Sequence, residues 1–184
     1  MIASVNKTKE ILNKYDLFAK KGFGQNFLID SNIINKIALS AGVDKETGVI
    51  EIGPGLGALT EKLCIEAKKV LCYEIDADMV NVLSNELSFN NLVIKNVDFL
   101  KADVEKDFEY FNDCKRVVVC SNLPYYITTP IIFRLLEINV NIEKMVFMVQ
   151  KEVALRLTGK PNTKDYNSLS VLINYKAKAN LEFS

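Results

Sequence analysis

From residue 48 onward, short runs of Val, Ile and Leu alternate with longer segments of helical spacing. The runs are GVIEIG (48–53), KVLCYEID (69–76), NLVIKNVD (91–98), RVVVCSN (116–122) and KMVFMVQ (144–150). A strand that is apolar at successive positions must be covered on both faces. The cover comes from GALTEKLCIEA (57–67), ADMVNVLSNEL (77–87, with Met79, Leu83 and Leu87 at spacing four), PIIFRLLE (130–137), KEVALRL (151–157) and NSLSVLINY (167–175). Strand and helix in alternation predict an α/β fold with a doubly wound, mostly parallel sheet. Ahead of it, SNIINKIALSAG reads as a helix capped by Asp30 or Ser31 and ended by Gly42, with Ile33, Ile34, Ile37, Ala38 and Ala41 on one face.

At 184 residues and 49% hydrophobic, the chain can bury one core, so a single catalytic-sized domain over 1–184 is expected, with 1–30 as an N-terminal extension. Basic and acidic residues balance at 23 each, which argues against a globally basic nucleic-acid binder and leaves room for a local patch. One such patch is the lead-in with Lys7, Lys9, Lys14, Lys20 and Lys21 against Glu10 and Asp16. There is no His, which removes histidine bases and histidine metal ligands, and no metal is expected. Cys64, Cys72, Cys114 and Cys120 form no CxxC pair and read as reduced thiols. The N-terminal stretch is too polar for a secretory signal, and no segment approaches the ~18 apolar residues of a membrane span. A cytoplasmic, membrane-free protein is expected.

In a doubly wound sheet, ligands sit beyond the C-terminal strand ends, near the point where strand order reverses. The tip of the first strand carries EIGPGLG (51–57), three glycines at alternate positions. This spacing lets the backbone turn sharply and approach a ligand, and it is not the GxGxxG of dinucleotide sites. A tight strand–helix turn would also use such glycines. Preceded by an acidic residue, the motif resembles the first motif of S-adenosylmethionine-dependent methyltransferases, with Gly53 and Gly55 as cofactor contacts. Glu74 ends the second strand, where a carboxylate can accept both hydroxyls of a ribose. Asp76 is better read as a helix cap. Asp98 ends the third strand and can accept from an adenine 6-amino group, with Phe99 and Leu100 beside the ring. Asp103 reads as a cap.

The fourth tip is SNLPY. An exocyclic adenine amine is a weak nucleophile because its lone pair is delocalised into the ring. The Asn122 oxygen can accept one N–H, a backbone carbonyl held by Pro124 can accept the other, and Tyr125 can stack on an extruded base. A methyl sulfonium is already activated, so positioning and electrostatics suffice and no general base is needed before attack.

With these residues in view, the chain resembles the rRNA adenine N6,N6-dimethyltransferases, and within them the bacterial small-subunit branch. The likeness lies in TKEILNKYDLFAKKGFGQNFLID, EIGPGLGALTEKL, YEID, VDFLKAD, SNLPYYITTPIIF and MVQKEVALRLTGKPNTKDYNSLSV. It implies a Rossmann-like class I S-adenosylmethionine-dependent methyltransferase acting on two adjacent adenosines of small-subunit rRNA. Cofactor contacts would come from Asn26, Leu28, Gly53, Glu74, Asp98 and Asn122, with Gln25 and Phe27 closing the pocket. Asn122, Leu123, Pro124 and Tyr125 would form the target-adenine pocket. Lys151, Arg156, Lys160 and Lys164 resemble a substrate-side loop, and with Lys20 and Lys21 could meet phosphates. The implied partner is the immature small ribosomal subunit, bound by a monomer. Alternatives are a large-subunit rRNA methyltransferase of the macrolide-resistance kind and a non-catalytic assembly factor. Two departures stand out. The family commonly reads Tyr-Gly-Arg-Leu-Ser where this chain has Tyr166-Asn167-Ser168-Leu169-Ser170. The resemblance also predicts a further antiparallel strand and a C-terminal helical domain after the last residue, so the chain reads as truncated before them.

Overall fold

Val49, Ile50, Val70, Leu71, Val118 and Val119 have almost no exposed surface, as strands covered on both faces require. The computed structural model describes residues 2–17 and 28–183. Met1–Met148 form one compact unit and Val149–Ser184 a second.

The first unit holds five strands: β1 (Thr47–Ile52), β2 (Lys69–Glu74), β3 (Leu92–Asn96), β4 (Arg116–Asn122) and β5 (Lys144–Met148). They are all parallel, in the order β3-β2-β1-β4-β5. The chain builds outward from β1 to β3, then returns to the other side of β1 for β4. The order therefore reverses between β1 and β4, and their C-terminal ends frame the crevice such sheets use for ligands. The middle strands β1 and β4 are buried almost throughout, while the flanking β3 and β5 are half-buried.

The covering helices are α1 (Val5–Lys14), α2 (Ser31–Ala41), α3 (Ala58–Glu66), α4 (Ala77–Glu86), the one-turn α5 (Val104–Asp107) and α6 (Thr128–Glu137). Asp30 caps α2 by accepting from the Asn32 and Ile33 amides, and Gly42 closes it in the left-handed region. Asp76 caps α4 and Asp103 caps α5, as expected of both. α3 starts without a side-chain cap. Gly57 has φ +90°, and a Cβ there would lie 2.7 Å from Leu83 and 2.8 Å from Leu87, so glycine is what lets α3 close on α4.

α1 lies where the sequence offered only a basic lead-in. Its apolar residues are few, yet they gather on one face and Ser4 caps the helix by accepting from the Lys7 amide, so a local signal is present beneath the charges. Ile11 is completely buried, but Thr8 takes the other inward place. The helix also uses its cations structurally, with Lys14 bonded to Glu86 of α4 and Lys7 to Glu10.

The second unit is a helical hairpin, α7 (Lys151–Leu157) and α8 (Ser168–Lys176). Nothing in the structure accounts for Ser168 in place of the Arg of the Tyr-Gly-Arg-Leu-Ser pattern, while Asn167, which stands where that pattern has Gly, caps α8. Its side-chain oxygen accepts from the Leu169 and Ser170 amides, and its own backbone amide donates to the Ser170 hydroxyl, completing a capping box. Its Nδ2 donates to the Arg156 and Asp165 carbonyls, tying α8 back to α7. Gly159 is forced: a Cβ there would meet the Asp165 carbonyl oxygen at 2.4 Å.

Candidate active site

The glycine turn after β1 is held in a conformation that side chains resist. Gly53 and Gly55 have φ of +67° and +58°. A Cβ on Gly53 would also touch the Pro124 ring at 3.3 Å, so the turns after β1 and β4 lie against each other. Just below them the β1–β4 ladder reaches the Ile50–Val119 pair. Beyond it, the Ile52 amide donates to the Ser121 hydroxyl at 2.8 Å. Ser121 is fully buried, and its hydroxyl stands in for a ladder carbonyl where the strands open. Sequence reasoning did not single out Ser121; a serine at the end of a Val-Val-Val-Cys run is the only hint.

One cleft covers these tips. Leu28, Gly53, Gly55, Glu74, Asp98, Asn122, Leu123, Pro124 and Tyr125, all named from sequence as site residues, line it together. Asn26, Gln25, Phe27, Lys20 and Lys21 lie outside the described residues. Lys151, Arg156, Lys160 and Lys164 are exposed in the second unit. Among the described residues no group of three or more His, Cys, Asp or Glu could hold a metal ion.

Glu74 is almost wholly buried, and each carboxylate oxygen accepts one backbone amide: Gly55 at 3.2 Å and Asp76 at 2.9 Å. Burial raises its pKa, and those two amides work against the rise. The Ile75 amide adds a further pull in the same direction, and the carboxylate lines the cleft where a ligand hydroxyl could reach it. Asp98 lies two residues beyond the end of β3 rather than at its last residue, and it caps a short 3₁₀ turn by accepting from the Leu100 amide at 3.0 Å. It still lines the cleft, through a turn that places its second oxygen independently of the strand. Phe99 is buried edge-on against Tyr73, with centroids 5.3 Å apart.

The NLPY turn is anchored on both sides. The Leu123 amide donates to the Met148 carbonyl of β5 at 3.1 Å. The Pro124 carbonyl accepts from the Ile127 amide at 3.3 Å and the Thr128 hydroxyl at 2.9 Å. Both of its lone pairs are engaged, so that oxygen is spent on starting α6. The preceding carbonyl, that of Leu123, belongs to a residue that the proline ring biases toward extended backbone.

Several lining residues escaped the sequence reading as site residues, and Glu51 and Tyr126 are the ionisable ones among them that matter most here. Glu51 is 1% exposed, and its pKa is pushed up to about 7. Burial is the main cause and the Glu74 charge adds to it, while the facing Thr60 hydroxyl and Cys72 thiol oppose it. The Cys72 Sγ lies 3.5 Å from the carboxylate. The buried Thr60 hydroxyl makes no hydrogen bond of good geometry, so its pull is weak. Tyr126 is half-exposed on the rim, and burial together with the Glu74 and Asp98 charges raises its hydroxyl pKa. The cysteines behave as read from sequence: all are free, and burial pushes Cys64 up to about 12.

Comparison with known proteins matches residues 17–181 to the family model "Ribosomal RNA adenine dimethylase". α1 precedes the matched residues. The chain is 53% identical over 180 residues to the ribosomal RNA small subunit methyltransferase A of Bacillus pumilus, covering 97% of this chain and 62% of that protein. The chain thus spans about three-fifths of the length of this relative. Among solved structures, it is similar to a dimethyladenosine transferase from Plasmodium falciparum, at 30% identity over 79% of this chain and 50% of that one, with a TM-score of 0.66. It is also similar to the 23S rRNA methyltransferase ErmE, at 32% identity over 80% of this chain and 57% of that one, with a TM-score of 0.67.

Proposed function

The chain belongs to the ribosomal RNA adenine dimethylase family, and from that premise we propose that its cleft carries methyl transfer from S-adenosylmethionine to the N6 amines of two adjacent adenosines in small-subunit rRNA. The observation that supports the reading is how closely the Pro124 ring approaches Gly53: a Cβ on that glycine would lie 3.3 Å from it. The turn after β4, read as the adenine side, therefore lies beside the turn after β1, read as the methyl-donor side.

The donor set fits such a cofactor. Glu74 offers two oriented carboxylate oxygens for a ribose diol, Asp98 lines the same cleft, and the glycine turn at β1 leaves no Cβ in the way. When bound, the cofactor supplies an electrophilic methyl group. The Asn122 side-chain oxygen and the Leu123 carbonyl accept the two N6 hydrogens, which turns the nitrogen lone pair out of the ring plane. Tyr125 stacks on the base and holds it out of its helix. Positive charge developing on nitrogen is stabilised by those two acceptors, and once the bond to carbon has formed the surplus proton passes to water at the open side of the cleft. A histidine base is not needed, which suits a chain without one.

Recognition of the RNA falls to the second unit, where Lys151, Arg156, Lys160 and Lys164 meet phosphates while the cleft meets the base. The partner is the immature small ribosomal subunit, the acting species a monomer and the setting the cytosol. A second reading has one observation in its favour, the likeness to ErmE, and places the target in large-subunit rRNA. The 53% identity to a small-subunit enzyme against 32% to ErmE favours the first.

The test is transfer of labelled methyl groups by this chain to immature small subunits and, separately, to large subunits. Incorporation into small subunits alone, at N6 of adjacent adenosines, is the expected result. Incorporation into large subunits alone transfers the reading to the second target, and binding of NAD rather than S-adenosylmethionine in a thermal-shift comparison removes both.

A further inference from the structure

α1 is fastened to the sheet unit at both ends. The Ile2 amide, just ahead of it, donates at 2.6 Å to Glu61 in the first turns of α3. At the far end, Glu86 of α4 accepts from the Lys14 ammonium at 2.6 Å and from the Tyr15 hydroxyl at 2.9 Å, with the Lys7 ammonium 4.0 Å away. These partners hold the Glu86 carboxyl below the usual range, Lys14 and then Tyr15 being the main causes. Ile11 packs the helix into the core with no exposed surface.

Between those fastenings, Ile2 and Thr8 line the same cleft as the glycine turn. Both are buried, Ile2 at 4% and Thr8 at 8% exposed. Through Glu61, α1 meets the cleft beside the start of α3, which directly follows the glycine turn. Glu74 and Asp98, the nucleoside partners, sit at the ends of β2 and β3 instead. Thr8 is the polar residue of this inward stripe, and as a cleft-lining side chain it can offer its hydroxyl to a polar group held there. The amino-acid part of a sulfonium nucleoside carries an ammonium and a carboxylate, and a threonine hydroxyl can serve either.

We propose that α1 forms a wall of the cofactor site at its amino-acid end, with Thr8 facing the amino acid and Glu86 as the positioning residue that seats the helix. This rests on the sulfonium-nucleoside reading of the cleft. It adds to that reading a helix that precedes residues 17–181, the span matched to the family model, and it predicts selectivity between ligands that share the nucleoside and differ in the amino acid.

The experiment is calorimetric titration of this chain with S-adenosylmethionine, S-adenosylhomocysteine and 5′-methylthioadenosine, the last lacking the amino acid. Thr8→Val is expected to weaken the first two about 5- to 10-fold, the worth of one buried hydrogen bond, and to leave the third unchanged. Glu86→Gln, a change outside the cleft, is expected to act with the same selectivity. Hydrogen exchange on the unaltered chain gives a reading free of any folding defect: α1 amides gain protection with S-adenosylhomocysteine and not with 5′-methylthioadenosine. Equal loss of all three ligands in the variants, no loss of any, or α1 protection indifferent to the amino acid would each overturn the proposal. If the unaltered chain binds none of the three, the cofactor reading itself fails, an outcome recognisable without the variants.

Discussion

Around the tips of β1 and β4, polar atoms are largely committed to the backbone: Ser121 to Ile52, Glu74 to Gly55 and Asp76, Leu123 to Met148, Pro124 to Ile127 and Thr128. In the hairpin of 149–184, the side chains with the chemistry of interest are exposed cations, and the internal bonds concentrate on a single residue, Asn167. The difference separates two tasks. A site that must aim a lone pair needs groups fixed to a fraction of an ångström, and fixed groups come from over-determined backbone. A surface that meets a charged polymer needs cations that adapt, because phosphate contacts position without reading sequence.

The sharpest test of this division is Asn122→Ala. It should lower the methyl-transfer rate about 1000-fold, the scale of losing one oriented transition-state partner, while S-adenosylmethionine affinity changes less than about 10-fold. Single-turnover kinetics with separately measured binding would decide, and a loss confined to affinity would break the assignment.

Next in size is the cost of Glu51. Its folded-state pKa of about 7 lies above the ordinary 4.5, so its neutral form imposes no penalty below pH 4.5. Stability is then lost as pH rises toward 7 and stays lost above it. At 1.36 kcal/mol per pKa unit, the loss is about 3 kcal/mol. Glu51→Gln should therefore flatten the pH dependence between about 5 and 7 and stabilise the ligand-free chain above pH 7, as read by urea unfolding across pH. A variant as pH-sensitive as the parent would show that another group carries the slope.

Replacing Lys151, Arg156, Lys160 and Lys164 together by Ala should leave cofactor affinity unchanged. It should shrink the salt dependence of RNA binding by about 0.7 in slope for each phosphate of a single strand that the cations no longer neutralise. An unchanged slope would remove the hairpin from the RNA surface. The smallest effect is expected from Asn167→Ala, about 1 kcal/mol from a lost cap. Hydrogen exchange should show it in α8 and the end of α7, with the sheet unit untouched; a global loss of protection would mean the two units unfold together.

Continuous Val and Ile runs alternating with helices determined the parallel sheet, because crossover helices cover both of its faces and parallel neighbours need such crossovers. Alternating glycines marked the β1 turn, because left-handed backbone excludes most side chains, and Asp30, Asp76 and Asp103 announced their caps through purely local bonding. Asn122 and its neighbours were legible as cleft residues for a related reason: an Asn-Leu-Pro-Tyr stretch at a strand tip falls where such sheets open their crevice. What depends on distant partners was not legible. α1 is held by Glu61 and Glu86, which lie 59 and 72 residues from Ile2 and Lys14 in sequence, and its place beside the cleft does not show in its own spacing. The Pro124 carbonyl is withdrawn from the site by Thr128, and the Glu51 carboxyl is pushed toward neutrality by burial that only the packed sheet creates. Local patterns set which elements form, because backbone geometry and nearby bonds act within a few residues. The tertiary structure decided which polar atoms remain available and at what protonation, because desolvation and long-range hydrogen bonds exist only once the elements have come together.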